Sequence, residues 1–131
     1  MELITKEQRE QLLANGKASA ETPGGVDHVP VVKLFTPDAG ATWLLSELDP
    51  DYPDIAFGLC DLGLGEAELG SVSISEIKEV RGALRLPVER DLFFESTTPL
   101  GKWAEVARRA GGSIAAATPL VKDLEQAGGK N

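Results

Sequence analysis

The chain has 131 residues, a formal net charge of −8 and one cysteine, Cys60. Its length suits a single domain, one thiol excludes an internal disulfide and fits a reducing cytoplasm, and the acidic balance argues against bulk nucleic acid or anionic lipid as partners. No stretch approaches the roughly 18 apolar residues of a membrane span, and the opening MELITKEQREQLL, charged from its second residue, is not a signal peptide.

The first predicted helix opens at Thr5, where Thr5-Lys-Glu-Gln8 has the form of a capping box. Leu12 and Leu13 give it an apolar edge, and Gly16 is its expected stop. Residues 17–28 read as a flexible loop. Val29 to Phe35 and Ala41 to Leu48 then form two strands joined by the turn Thr36-Pro-Asp-Ala-Gly40. Trp43 and Leu45 face one side of the second strand, Thr42, Leu44 and Ser46 the other. Two prolines and three aspartates make 49–54 a loop. Ile55 to Leu62, apolar on both faces, is the third strand, and Glu68 to Ser73, after the Gly63-Leu-Gly65 turn, is the fourth. Sequential strands usually pair, which predicts an antiparallel meander.

Ser73-Ile-Ser-Glu76 is a second capping box and opens a short middle helix with Ile74, Ile77 and Val80 inward, closed by Gly82. Leu92 to Phe94 is a fifth extended piece. Thr98-Pro99 marks the start of a further helix, a cap residue followed by Pro at the first helical position; its apolar face is Leu100, Trp103, Ala104 and Ala107, with Gly111-Gly112 as its stop. These elements predict a small α+β domain over 1–111: an antiparallel sheet of four to five strands, with an N-terminal, a short middle and a C-terminal helix packed on it. Residues 112–131 read as a weakly ordered tail with a short helix from Pro119 to Gln126.

Between Lys33 and Lys78 there is no Lys or Arg, while Asp38, Glu47, Asp49, Asp51, Asp54, Asp61, Glu66, Glu68 and Glu76 all fall there. Glu47, Asp61 and Glu68 lie near strand ends and are candidates to converge, as a solvated sheet edge, as part of a surface for a basic partner, or as the carboxylate cluster of a cation-dependent enzyme. Asp49, Asp51 and Asp54 resemble a calcium loop but lack its glycine turn and downstream Glu. Gly63, Gly65 and Gly70 do not have phosphate-loop spacing, and Glu66 and Glu68 would repel phosphate. A Cys60–His28 nucleophile pair is weighed against Cys60 as a small core residue, the usual role. Lys78, Arg81, Arg85 and Arg90 are the candidate nucleic-acid residues, with local ion pairing to Glu76, Glu79, Glu89 and Asp91 as the alternative. No catalytic residue, metal site or cofactor is indicated.

Several blocks carry a resemblance: Val31-Val-Lys-Leu-Phe-Thr-Pro-Asp38, Thr42-Trp43 with Glu47, Phe57-Gly-Leu59, Glu68-Leu-Gly70, Ser73-Ile-Ser-Glu-Ile77, and Leu86-Pro-Val-Glu-Arg-Asp-Leu-Phe-Phe94. In this order they resemble an uncharacterised bacterial family, domain of unknown function 2958, over about residues 3 to 110. Ala56 and Val72 stand where that pattern suggests aromatics. The resemblance implies an accessory protein of plasmids, integrative elements or phages and supplies no catalytic residue.

The leading expectation is therefore a non-enzymatic acidic module of a mobile element. Glu47, Asp49, Asp51, Asp54, Asp61, Glu66 and Glu68 would engage a basic protein surface, in an anti-defence role or as a mimic of the phosphate backbone. A small divalent-cation enzyme and a nucleic-acid binder through 78–90 are the alternatives.

Overall fold

The computed structural model describes residues 2–128. Its elements are α1 (Lys6–Ala20), β1 (Val32–Phe35), β2 (Thr42–Leu48), β3 (Ile55–Asp61), β4 (Glu68–Ser73), α2 (Ile74–Glu79), β5 (Glu89–Arg90), α3 (Leu100–Arg109) and α4 (Ile114–Gly128). The strands form one antiparallel sheet in the order β4-β3-β2-β1-β5. The four-strand meander is thus as expected, and β5 adds a short edge beside β1.

Alternation along β2 divides the core. Trp43, Leu45 and Leu48 join Leu12, Val32, Leu34, Ile74 and Ile77 under α1 and α2. Leu44 joins Leu59, Leu100, Trp103, Ala107, Ile114 and Val121 under α3 and α4. Helices therefore cover both faces of the sheet, and both tryptophans are buried. Among the described residues no helix is long and apolar enough to cross a membrane.

Four local expectations are corrected. α1 does not stop at Gly16 but continues to Ala20. Gly16 is there because a β-carbon would overlap the Leu48 backbone carbonyl; it permits a close helix–strand approach. The fifth strand pairs through Glu89–Arg90, opposite Phe35 and Leu34, and not through Leu92–Phe94. Thr98 does not cap α3: its hydroxyl donates to Glu125, while the Gly101 amide donates to Asp27 and the Leu100 amide to the His28 carbonyl. The expected helix at Pro119 begins at Ile114 and runs through the proline, held by buried Ile114, Ala117 and Val121. The packed unit thus extends past residue 111; the end of the tail, 129–131, lies outside the described residues.

Candidate functional site

β2 and β3 pair Leu45 with Gly58 and then Glu47 with Phe57, so Ser46 is an extra residue in a β-bulge. Its carbonyl accepts the Asn15 side-chain amide at 2.9 Å, and Gln11 in turn donates to Asn15. The bulge re-aims Glu47 towards the C-terminal turns of α1. There the Ser19 hydroxyl donates to Glu47 Oε2, and His28 Nε2 lies 3.7 Å from the same oxygen. Ser19, His28 and Glu47 are not a catalytic relay. The serine donates to the carboxylate rather than to the imidazole, whose Nε2 faces the Asn15 carbonyl at 2.9 Å.

Glu47 borders a cleft of about 390 Å³ between the end of α1, the bulged end of β2 and the 49–54 loop. Asp49 and Asp51 are on its rim, and no Lys or Arg lines it. Asp49 Oδ1 accepts the amides of Asp51 and Tyr52, which shapes the loop and leaves the carboxylate at the surface. Three of the seven expected partner-binding residues are thus brought together.

The other four are not. Asp54 is turned to the start of α2, where it accepts both Ser73 and Ser75 hydroxyls at 2.6 Å and the Ser75 amide at 3.0 Å. The Ser73 and Ser75 hydroxyls, with the Lys78 charge, hold its pKa below the ordinary aspartate value. Asp61 is buried, 4% exposed, and accepts the Gly63 amide and the Ile114 amide at the start of α4. Glu66 and Glu68 are exposed beside Leu62, Leu64 and Leu69, along another groove.

The predicted convergence of Glu47, Asp61 and Glu68 is therefore overturned by register. Antiparallel pairing sets Glu47 opposite Phe57, four residues along β3 from Asp61 and about 13 Å away. Glu68 pairs with Cys60, whose side chain packs towards the α1 core, whereas neighbouring Asp61 points to α4. Among the described residues no group of three or more His, Cys, Asp or Glu could hold a metal ion.

Two of the basic residues are engaged with backbone carbonyls. Arg81 donates to the Lys78 and Val80 carbonyls, closing α2, and Arg90 donates to the Glu2 carbonyl. Arg85 sits in a turn at φ 61°. None of Lys78, Arg81, Arg85 and Arg90 forms an ion pair among the described residues. Cys60 packs against the core, burial pushes its thiol pKa up, and it lies on the row of Trp43, away from His28. Ser19 and Asn15 carried no signal in the sequence, because only the bulge brings α1 onto Glu47.

Residues 3–115 match one family model, described as protein of unknown function (DUF2958). No curated protein and no solved structure matches the chain.

Proposed function

Because the chain belongs to the DUF2958 family of proteins of unknown function, we propose its role from its own surface: a non-enzymatic acidic module that takes a basic segment of a protein partner in the Glu47–Asp49–Asp51 cleft. The observation that carries this reading is that three carboxylates line one concavity with no Lys or Arg on its wall. A Lys or Arg side chain entering there would meet three carboxylates in a partly screened site, where Coulomb attraction exceeds its value in bulk water. The interval 34–77 has no Lys or Arg, so no cation of β2, β3 or the 49–54 loop offsets these three carboxylates, which favours fast, salt-sensitive association. The same three carboxylates support mimicry of a phosphate backbone, the resemblance read from the sequence supports service to a mobile element, and the single thiol supports a cytoplasmic setting.

The test is capture of partners from nuclease-treated host lysate at low and high salt, with the wild type beside an Asp49→Asn, Asp51→Asn double variant. Asparagine keeps the side-chain oxygen that shapes the loop and removes the charge. The expected result is a basic protein bound at low salt, released at high salt and lost with the variant. A partner held equally by both proteins would remove the cleft from the interaction, and no salt-sensitive partner would overturn the reading.

A further inference from the structure

β4 is an outer strand of the sheet, with a strand neighbour on one side only. The Ala67 amide before it donates to the Gly112 carbonyl, and the Ile74 amide after it donates to the Asp54 carbonyl. Between these ties, among the described residues, no backbone hydrogen bond other than those to β3 reaches 68–72. A groove of about 370 Å³ follows this edge, and the consecutive residues Glu68 to Val72 all line it. Successive strand residues point to opposite faces, so a concavity that touches every one of them runs along the backbone itself. Such an edge is an open template for another strand.

The two sides of the edge ask for different side chains. Glu68 pairs with Cys60 and stands on the α1–α2 face, whereas Leu69 pairs with Leu59 and stands on the α3–α4 face. Glu66, Glu68, Leu62 and Leu64 border the groove, the two leucines 63% and 75% exposed, and no Lys or Arg lines it. Gly70, on the Glu68 face, has open space where a side chain would stand. On the other face Leu69 offers an apolar contact, 45% exposed.

We propose that β4 takes an extended segment of a basic protein partner by strand addition, with Lys or Arg on the Glu68 face and apolar residues on the Leu69 face. Backbone pairing supplies affinity, and alternate side chains supply specificity. A lysine there lays its methylene stem over Gly70 and keeps its ammonium at Glu66 and Glu68. A second copy of the chain would instead bring its own Glu66 and Glu68, and a net charge of −8, against the same edge. The inference rests on the basic-partner reading for the charge of the segment; the pairing itself uses none of Glu47, Asp49 and Asp51. Ser71 borders both this groove and the acidic cleft, so a longer segment continues from the edge into the cleft.

The test is an amide NMR titration of the full chain with the end-capped peptide Lys-Val-Lys-Val-Lys-Val-Lys. Its controls are the counterpart with Glu for Lys, and a version N-methylated at every residue, which keeps the charges and cannot donate. Saturable shifts across 68–72, slowed exchange of alternate amides there and intermolecular NOEs to the peptide backbone are expected with the first peptide, and no binding of either control. Glu68→Lys should weaken binding several-fold, as loss of an exposed ion pair does. The Asp49→Asn, Asp51→Asn double variant should keep the pairing at 68–72. Shifts confined to Glu47, Asp49 and Asp51 would overturn strand addition and leave the cleft reading standing. Absent shifts, equal binding of the Glu counterpart, an affinity unchanged by N-methylation, or shifts at 68–72 that follow the concentration of the chain alone would each overturn it too. Failure of the cleft shows separately, as a lysate partner held equally by the double variant.

Discussion

The Asn15 side chain donates to the Ser46 carbonyl at 2.9 Å, tying the middle of α1 to the bulge of β2 across 31 residues of sequence. Both residues are buried. This contact supports the bulge that aims Glu47 at Ser19 and His28. Asn15→Ala would leave a buried carbonyl without its donor, a loss of about 1–3 kcal/mol. Urea unfolding should show that loss as a lower midpoint with an unchanged slope.

Gly16→Ala reverses the usual sign of a helix substitution. Alanine in an exposed helix interior is favoured over glycine by roughly 0.5–1 kcal/mol. At Gly16 the new methyl would overlap the Leu48 carbonyl oxygen. Relief requires α1 to move off β2, and the expected net effect is a destabilisation of about 1–3 kcal/mol. A higher melting temperature in the variant would contradict this account.

Asp61 links the end of β3 to the first turn of α4, with Oδ1 on the Gly63 amide at 2.8 Å and Oδ2 on the Ile114 amide at 2.9 Å. Asp61→Ala leaves both amides without their acceptor and should cost about 1–3 kcal/mol. Asp61→Asn keeps one acceptor and should cost less. Hydrogen exchange should place the added opening at the start of α4 in both variants, while the acidic cleft stays intact.

Asp54 should make stability depend on pH. Its hydrogen bonds from Ser73 and Ser75 depress the folded-state pKa. A depressed aspartate contributes stability that is fully present above its unfolded value, about 3.9, and is lost as the pH falls through the folded value. Asp54→Asn lacks this contribution at every pH. Urea midpoints of wild type and variant should therefore differ near neutrality and converge as the pH drops below about 4. A difference that stays constant across this range would count against the linkage.

Much of the fold was legible because it is written in local chemistry. The alternation of Trp43, Leu44 and Leu45 assigned side chains to the two faces of β2, and the capping box at Thr5 and the hydroxyl cap at Ser73 located two helix starts. The blocks from Val31 to Phe94 carried the family. The errors share another origin. Gly16 reads as a stop and Pro119 as a start when only neighbours in sequence are considered. Gly16 answers instead to Leu48, and Pro119 is overridden by the burial of Ile114, Ala117 and Val121.

Among the candidate residues the division is the same. Composition along 34–77 was enough to give that segment its negative charge, because charge in an interval requires no geometry. Which carboxylates meet depends on register, on the bulge at Ser46 and on which face each strand residue takes. Asp61 is chemically identical to Asp51, yet pairing beside Thr42 buries one under α4, while the loop leaves the other at the cleft. The β5 edge likewise comes from residues far apart in sequence, since Glu89 and Arg90 meet Phe35 and Leu34 only when the chain returns to β1. Sequence patterns report what a residue prefers; the tertiary structure alone decides which preferences are satisfied together.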